Sequence, residues 1–95
     1  MNSKALRERV VFWSARLNVQ PAQIRIQTMT RKWASCSSLG RVTFSQDLAT
    51  TRRDFQDYVI VHELLHLRLP NHGKLFTTTL RAHLPHNQYA IATLG

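Results

Sequence analysis

Two histidines four residues apart flank a glutamate in the run His62-Glu63-Leu64-Leu65-His66. On an α-helix, positions four apart differ by about 40° around the axis, so both imidazoles face one point and can share one tetrahedral ion. Glu63 is turned by about 100° from His62, beside that point, which suits a carboxylate that activates a zinc-bound water better than a direct ligand. A helix that merely happens to carry two histidines and a solvated glutamate is the bland alternative. Chance produces the pattern in about one chain in two hundred of this composition.

A catalytic zinc takes three protein ligands and keeps a fourth position open, so another donor is required. No Asp or Glu follows Glu63, which excludes a carboxylate from a downstream helix and leaves His72, His83 and His86, or a residue upstream. His72 is preferred: it lies six residues beyond His66, after the Pro70-Asn71 break, where the chain can turn back toward the ion. The offsets match the metzincin pattern, but Leu69 stands at its glycine and no Met follows His72. The expected centre is one Zn2+ per chain on His62, His66 and His72. Zinc lowers the pKa of its water from about 16 toward 7, and Glu63 takes the proton and returns it to the departing amine in peptide-bond hydrolysis. Asp54 and Asp57 are candidates for orienting the imidazoles, and Asn71, His83, His86 and Tyr89 for steadying an oxyanion.

These residues need a scaffold. Leu6, Val10, Trp13 and Leu17 recur at intervals of four, three and four, predicting a helix from Ser3 to about Leu17. Ile24 and Ile26 alternate with Arg25 and Gln27, predicting a strand near Gln23 to Thr30. Small residues from Ser35 to Gly40 form a turn, and Val42 and Phe44 resume the alternation beyond it. Thr51 and Asp54 mark the start of the histidine-bearing helix, expected to reach about Leu69, and Leu75, Phe76, Leu80 and Leu84 predict another helix up to Pro85. The order gives an α+β class: a small, largely antiparallel sheet packed against helices, in one domain over residues 1–95. The strand from Arg41 to Ser45 is a candidate edge for an extended substrate, with an interior strand as the alternative.

At these residues the chain resembles the YgjP-like metallopeptidase family, relatives of the SprT-like proteases. The run His62 to Leu67, then Asn71-His72 and Phe76, is similar to that family's helix motif. Arg31-Lys32-Trp33-Ala34-Ser35-Cys36-Ser37-Ser38-Leu39-Gly40 is similar to its basic-W-G-S-C-S turn, and Val11 to Val19 to its leading helix. The resemblance covers roughly residues 10–85 and implies a minimal zincin-like fold acting on peptide or protein substrates. Two departures stand out: Ala34 replaces the usual glycine, and Ser45-Gln46 a more apolar or Asn-Trp-like strand ending.

Composition sets limits. At 95 residues and 43% hydrophobic, the chain has room for one core. The lone Cys36 excludes an internal disulfide and a cysteine-based zinc knuckle, and is expected to be a small, part-buried structural residue. No apolar run nears the roughly 20 residues of a membrane span, and the charged N-terminal segment is unlike a signal peptide, so the expectation is a cytoplasmic protein without membrane contact. Its oligomeric state is left open. Thirteen Lys and Arg against five acids give a net charge of +8, which attracts polyanions. The pairs Arg31-Lys32 and Arg52-Arg53, with Trp13 and Trp33 as stacking residues, support an alternative: a basic nucleic-acid-binding module with a structural zinc site. Latency is another possibility, with the tail from Pro85 lying across the cleft.

Overall fold

The computed structural model describes residues 2–92. Helix α1, Ser3–Leu17, buries Leu6, Val10, Trp13 and Leu17, the stripe its periodicity predicts. Asn2 caps its start, its side chain accepting from Ala5 N at 2.8 Å. Asn18 ends it in the left-handed region at φ 56°, where the short amide side chain is tolerated. The N–H of Val19 then returns to Ser14 O, and Val19 enters the core.

Three strands follow: β1, Gln23–Gln27, β2, Ala34–Cys36, and β3, Arg41–Ser45. Their spatial order is β1-β3-β2. The α+β class is as the sequence suggests, but the sheet is mixed where a largely antiparallel one is expected. Strand β3 runs parallel to β1 over five residue pairs and antiparallel to β2 over three. The reason lies in burial. Val42 and Phe44 make β3 the most apolar strand, fully buried at both positions, so it takes the centre with a neighbour on each side. The turn from Ser37 to Gly40 inserts it there: Ser37 Oγ accepts from Leu39 N and Arg41 N, and Gly40 adopts φ +84°. Of the two readings for Arg41 to Ser45 the interior one holds: β3 is central, and the edges of the sheet are β1 and β2.

A 3-10 helix, Gln46–Thr50, leads to helix α2, Arg53–Leu65. Thr51 does not cap α2; its hydroxyl donates back to Leu48 O, and Arg52 occupies the cap position without a side-chain bond. One face of α2 buries Val59, Ile60, Val61, Leu64 and Leu65 in the core. The regular α-helix ends at Leu65, short of Leu69, and Pro70, which disfavours helical geometry at Leu69, keeps it from resuming. The chain tightens instead into i to i−3 turns, with His66 N on Glu63 O, Leu67 N on Leu64 O and Arg68 N on Leu65 O. Helix α3, Lys74–His83, packs Phe76, Thr77 and Leu80 inward, and a short helix α4, Gln88–Ala92, unforeseen in the sequence, closes over α2 and α3 through buried Ala90. Among the described residues, no helix is long and apolar enough to cross a membrane.

Candidate metal centre

The face of α2 that turns away from the core carries His62 and, at its C-terminal cap, His66. They stand four positions apart, and their ring centroids lie 5.0 Å apart. His72 comes from the connection to α3. Its ring centroid is 4.9 Å from that of His62 and 4.5 Å from that of His66. One ligand nitrogen from each of the three falls within 4.8 Å of the others, and the Nε2 atoms of His66 and His72 are 2.8 Å apart. Around a tetrahedral zinc, neighbouring nitrogens sit about 3.3 Å apart, so small ring rotations suffice to admit an ion. The donor set fits a divalent metal, and imidazole suits zinc.

Phe76 of α3 forms the floor. Its ring lies 5.2, 4.9 and 4.9 Å from those of His62, His66 and His72, and its side chain is buried. An apolar floor shields one side of the cluster from water. Burial lowers the pKa of His66 below the ordinary imidazole value, and the neighbouring His62 and His72 act in the same sense, while Glu63 and the Leu69 backbone oppose them. The net result favours neutral imidazole, the form that ligates.

Glu63 sits beside the cluster, its Oε2 3.3 Å from His62 Nδ1. That acceptor favours the tautomer of His62 with its proton on Nδ1 and the Nε2 lone pair free. Glu63 also lines two adjoining hollows, one shared with His66, Cys36 and Ser35 and the other with His62, Tyr58 and Trp33. Cys36 is half-buried there, its thiol pKa raised first by burial and then by the Glu63 charge, as befits an unreactive thiol.

Strand β2 runs past this carboxylate. Trp33 O accepts from Ser45 N and Ser37 N donates to Arg41 O. By the antiparallel alternation, Ser35 faces β3, whereas the N–H and C=O groups of Ala34 and Cys36 point away from it. The open edge thus offers two donors and two acceptors to an extended chain.

Other residues singled out in the sequence lie elsewhere. Asp57 is committed to α1, accepting from Arg9 at 2.8 and 3.0 Å and from Trp13 Nε1 at 3.0 Å. Asp54 accepts from Gln88 and from Phe55 N, and neither acid touches an imidazole of the cluster. Trp13 is buried and unavailable for stacking on a base. His83 and His86 line a separate groove with Arg52 and Arg53, and Asn71 lines a hollow against Leu75. Tyr89 stacks on Phe55 and Tyr58, one ring removed from His62. Tyr58 itself packs on His62 at 5.7 Å. It was not among the sequence candidates, although its position four residues before His62 places it on the same helix face. The described part of the tail packs on α2 and α3; a tail crossing the cleft beyond residue 92 lies outside the described residues.

No curated protein matches the sequence. The fold is similar to the crystal structure of the metallopeptidase zymogen of Pyrococcus abyssi abylysin, with a TM-score of 0.72 and 20% identity, over 84% of this chain and 80% of that one. At that identity the likeness is one of fold. The family model described as the YgjP-like metallopeptidase domain matches residues 2–94. The chain belongs to the YgjP-like metallopeptidase family, which implies a divalent metal and peptide or protein substrates.

Proposed function

We propose that the chain is a zinc-dependent peptidase with one ion per chain on His62, His66 and His72, and with Glu63 as its general base and acid. The observation that carries this reading is the Glu63 carboxylate standing beside a three-imidazole cluster and facing the open edge of β2. When bound, zinc supplies Lewis acidity, acidifying a water and polarising the scissile carbonyl.

The chain's own residues do the rest. The three imidazoles hold the ion from one side while the Phe76 floor excludes water beneath them. Ala34 and Cys36 pair with the substrate backbone and hold it extended across the cleft. A Glu63 oxygen takes the proton of the attacking water and delivers it to the departing amine nitrogen, so one carboxylate serves as base and then acid. The test is Glu63→Gln: zinc content and melting temperature are retained while peptide cleavage is lost. A fully active glutamine variant would sink the mechanism.

The structural-zinc alternative needs a fourth protein ligand, and among the described residues the cluster has three. Nucleic-acid contact is a separate matter, supported by the +8 charge and by a hollow in which Arg31, Lys32 and the exposed ring of Trp33 meet. Retarded mobility of a DNA oligonucleotide, weakened by Arg31→Ala with Lys32→Ala, is the expected result; unchanged mobility removes this second role.

A further inference from the structure

The hollow on the His62 side of Glu63 is the more selective of the two. Its volume is about 160 Å3, and its walls are Trp33, Ala34, Tyr58, Val59, His62 and Glu63. We propose that this hollow is the specificity pocket of the peptidase, that it takes a leucine- to phenylalanine-sized apolar side chain next to the scissile bond, and that Trp33 is its principal determinant. The proposal rests on the peptidase reading.

Size comes first. A dry protein cavity of about 150 Å3 accommodates benzene, so the hollow has room for an isobutyl or benzyl group.

Chemistry agrees with size. Trp33, Ala34, Tyr58 and Val59 make the apolar share of the lining, the Tyr58 hydroxyl adds one polar group, and the charged or basic side chains, His62 and Glu63, stand at the catalytic end. No Lys or Arg is present to receive an acidic side chain, and the Glu63 charge repels one. The neighbouring hollow on the His66 side, with Lys32, Ser35, Ser37 and Ser38 in its wall, is polar by contrast.

The rings are already in place before a ligand arrives. Trp33 meets Phe55 edge to face at 5.4 Å, Phe55 meets Tyr89 at 5.2 Å, and Tyr58 is held between Tyr89 at 5.8 Å and His62 at 5.7 Å. Aromatic walls fixed in this way lose little freedom on binding. Trp33 nonetheless keeps 41% of its surface exposed, a large apolar area that a substrate side chain can cover. Its backbone is pinned to β3 through Ser45, one residue before the open edge at Ala34. The ring therefore stands at a fixed place relative to a substrate strand paired with that edge.

The experiment uses the zinc-loaded full chain and two hydroxamates that chelate zinc alike, acetohydroxamate and 3-phenylpropanohydroxamate, with affinities from calorimetry. The phenyl compound is expected to bind about 10-fold tighter, the effect of burying part of a ring. In Trp33→Ala that advantage falls below about 3-fold with zinc content unchanged, and Trp33→Phe, which can keep the contact with Phe55, retains an intermediate advantage. Equal affinities in the wild type, or an advantage that persists in both variants, overturn the proposal. Cleavage sites in a proteome-derived peptide library are read in parallel. Enrichment of Leu, Met or Phe beside the cleaved bond supports the pocket, and cleavage without apolar preference overturns it while leaving the peptidase reading intact. A phenyl advantage without any cleavage supports the pocket and rejects the peptidase. Binding of neither hydroxamate rejects both.

Discussion

His72 Nε2 lies 2.8 Å from His66 Nε2, although one ring belongs to the end of a helix and the other to the connection that leaves it. At that separation the two nitrogens share one proton, one donating and the other accepting, or open slightly around a metal that replaces it. Either way the connection after Pro70 is folded back far enough for the two rings to meet. His72 is exposed and contributes little to the core, so His72→Ala should leave the fold intact. Its zinc affinity should fall by more than about 100-fold, since even groups that only support a ligand cost 10–100-fold. Competition with a chromophoric chelator measures this, and unchanged affinity would remove His72 from the ligand set.

Glu63→Gln separates binding from chemistry. The amide preserves shape but cannot accept the water's proton, so kcat should drop by at least about 100-fold, the lower end of general-base contributions. Zinc stoichiometry measured on the same sample should remain at the wild-type value.

Acidification should destabilise the metal-free protein. Folding lowers the pKa of His66, chiefly through burial, so the unfolded chain takes up a proton below the ordinary imidazole value near 6.5 while the folded chain resists it until lower pH. Within that window the unfolded state binds more protons, and stability falls as pH falls. Chemical denaturation of the apoprotein between pH 7.5 and 5.5 checks the slope, and His66→Gln should flatten it.

Phe76 joins the core to the site. Phe76→Ala should cost about 3–5 kcal/mol, the usual range for a buried phenylalanine, and should weaken zinc binding as water gains access beneath the imidazoles. Phe76→Leu should cost less and keep most of the metal affinity. Equal zinc affinity in all three proteins would show that the floor has no part in holding the ion.

Asp57 has a structural role despite its place on the site helix. It accepts from Arg9 and from the buried indole of Trp13, and Asp57→Ala leaves both donors without a partner. A loss of about 1–3 kcal/mol is expected, with kcat per zinc-loaded molecule unchanged at a temperature where the variant is folded. A fall in kcat there would return Asp57 to the candidates for orienting the imidazoles.

The local features of this protein are legible in its sequence because short-range geometry determines them. The 3.6-residue repeat fixes the buried stripe of α1 and makes His62 and His66 neighbours, and the want of any acid after Glu63 narrows a third donor from downstream to a histidine. The Pro70 break brings His72 within reach, as its position suggests. Features set by partners distant in the chain are not legible. Nothing local to Arg41 to Ser45 says that β3 will enter between β1 and β2 and leave β2 as the edge facing Glu63; burial of Val42 and Phe44 against several elements decides that. Asp57 reads as a candidate for orienting a histidine until α1 supplies Arg9 and Trp13. Trp33 and Tyr58 stand 25 positions apart and become two walls of one hollow only when β2 packs against α2. Spacing along one helix pairs His62 with His66, whereas the hollow beside Glu63 is assembled from segments joined only by tertiary packing.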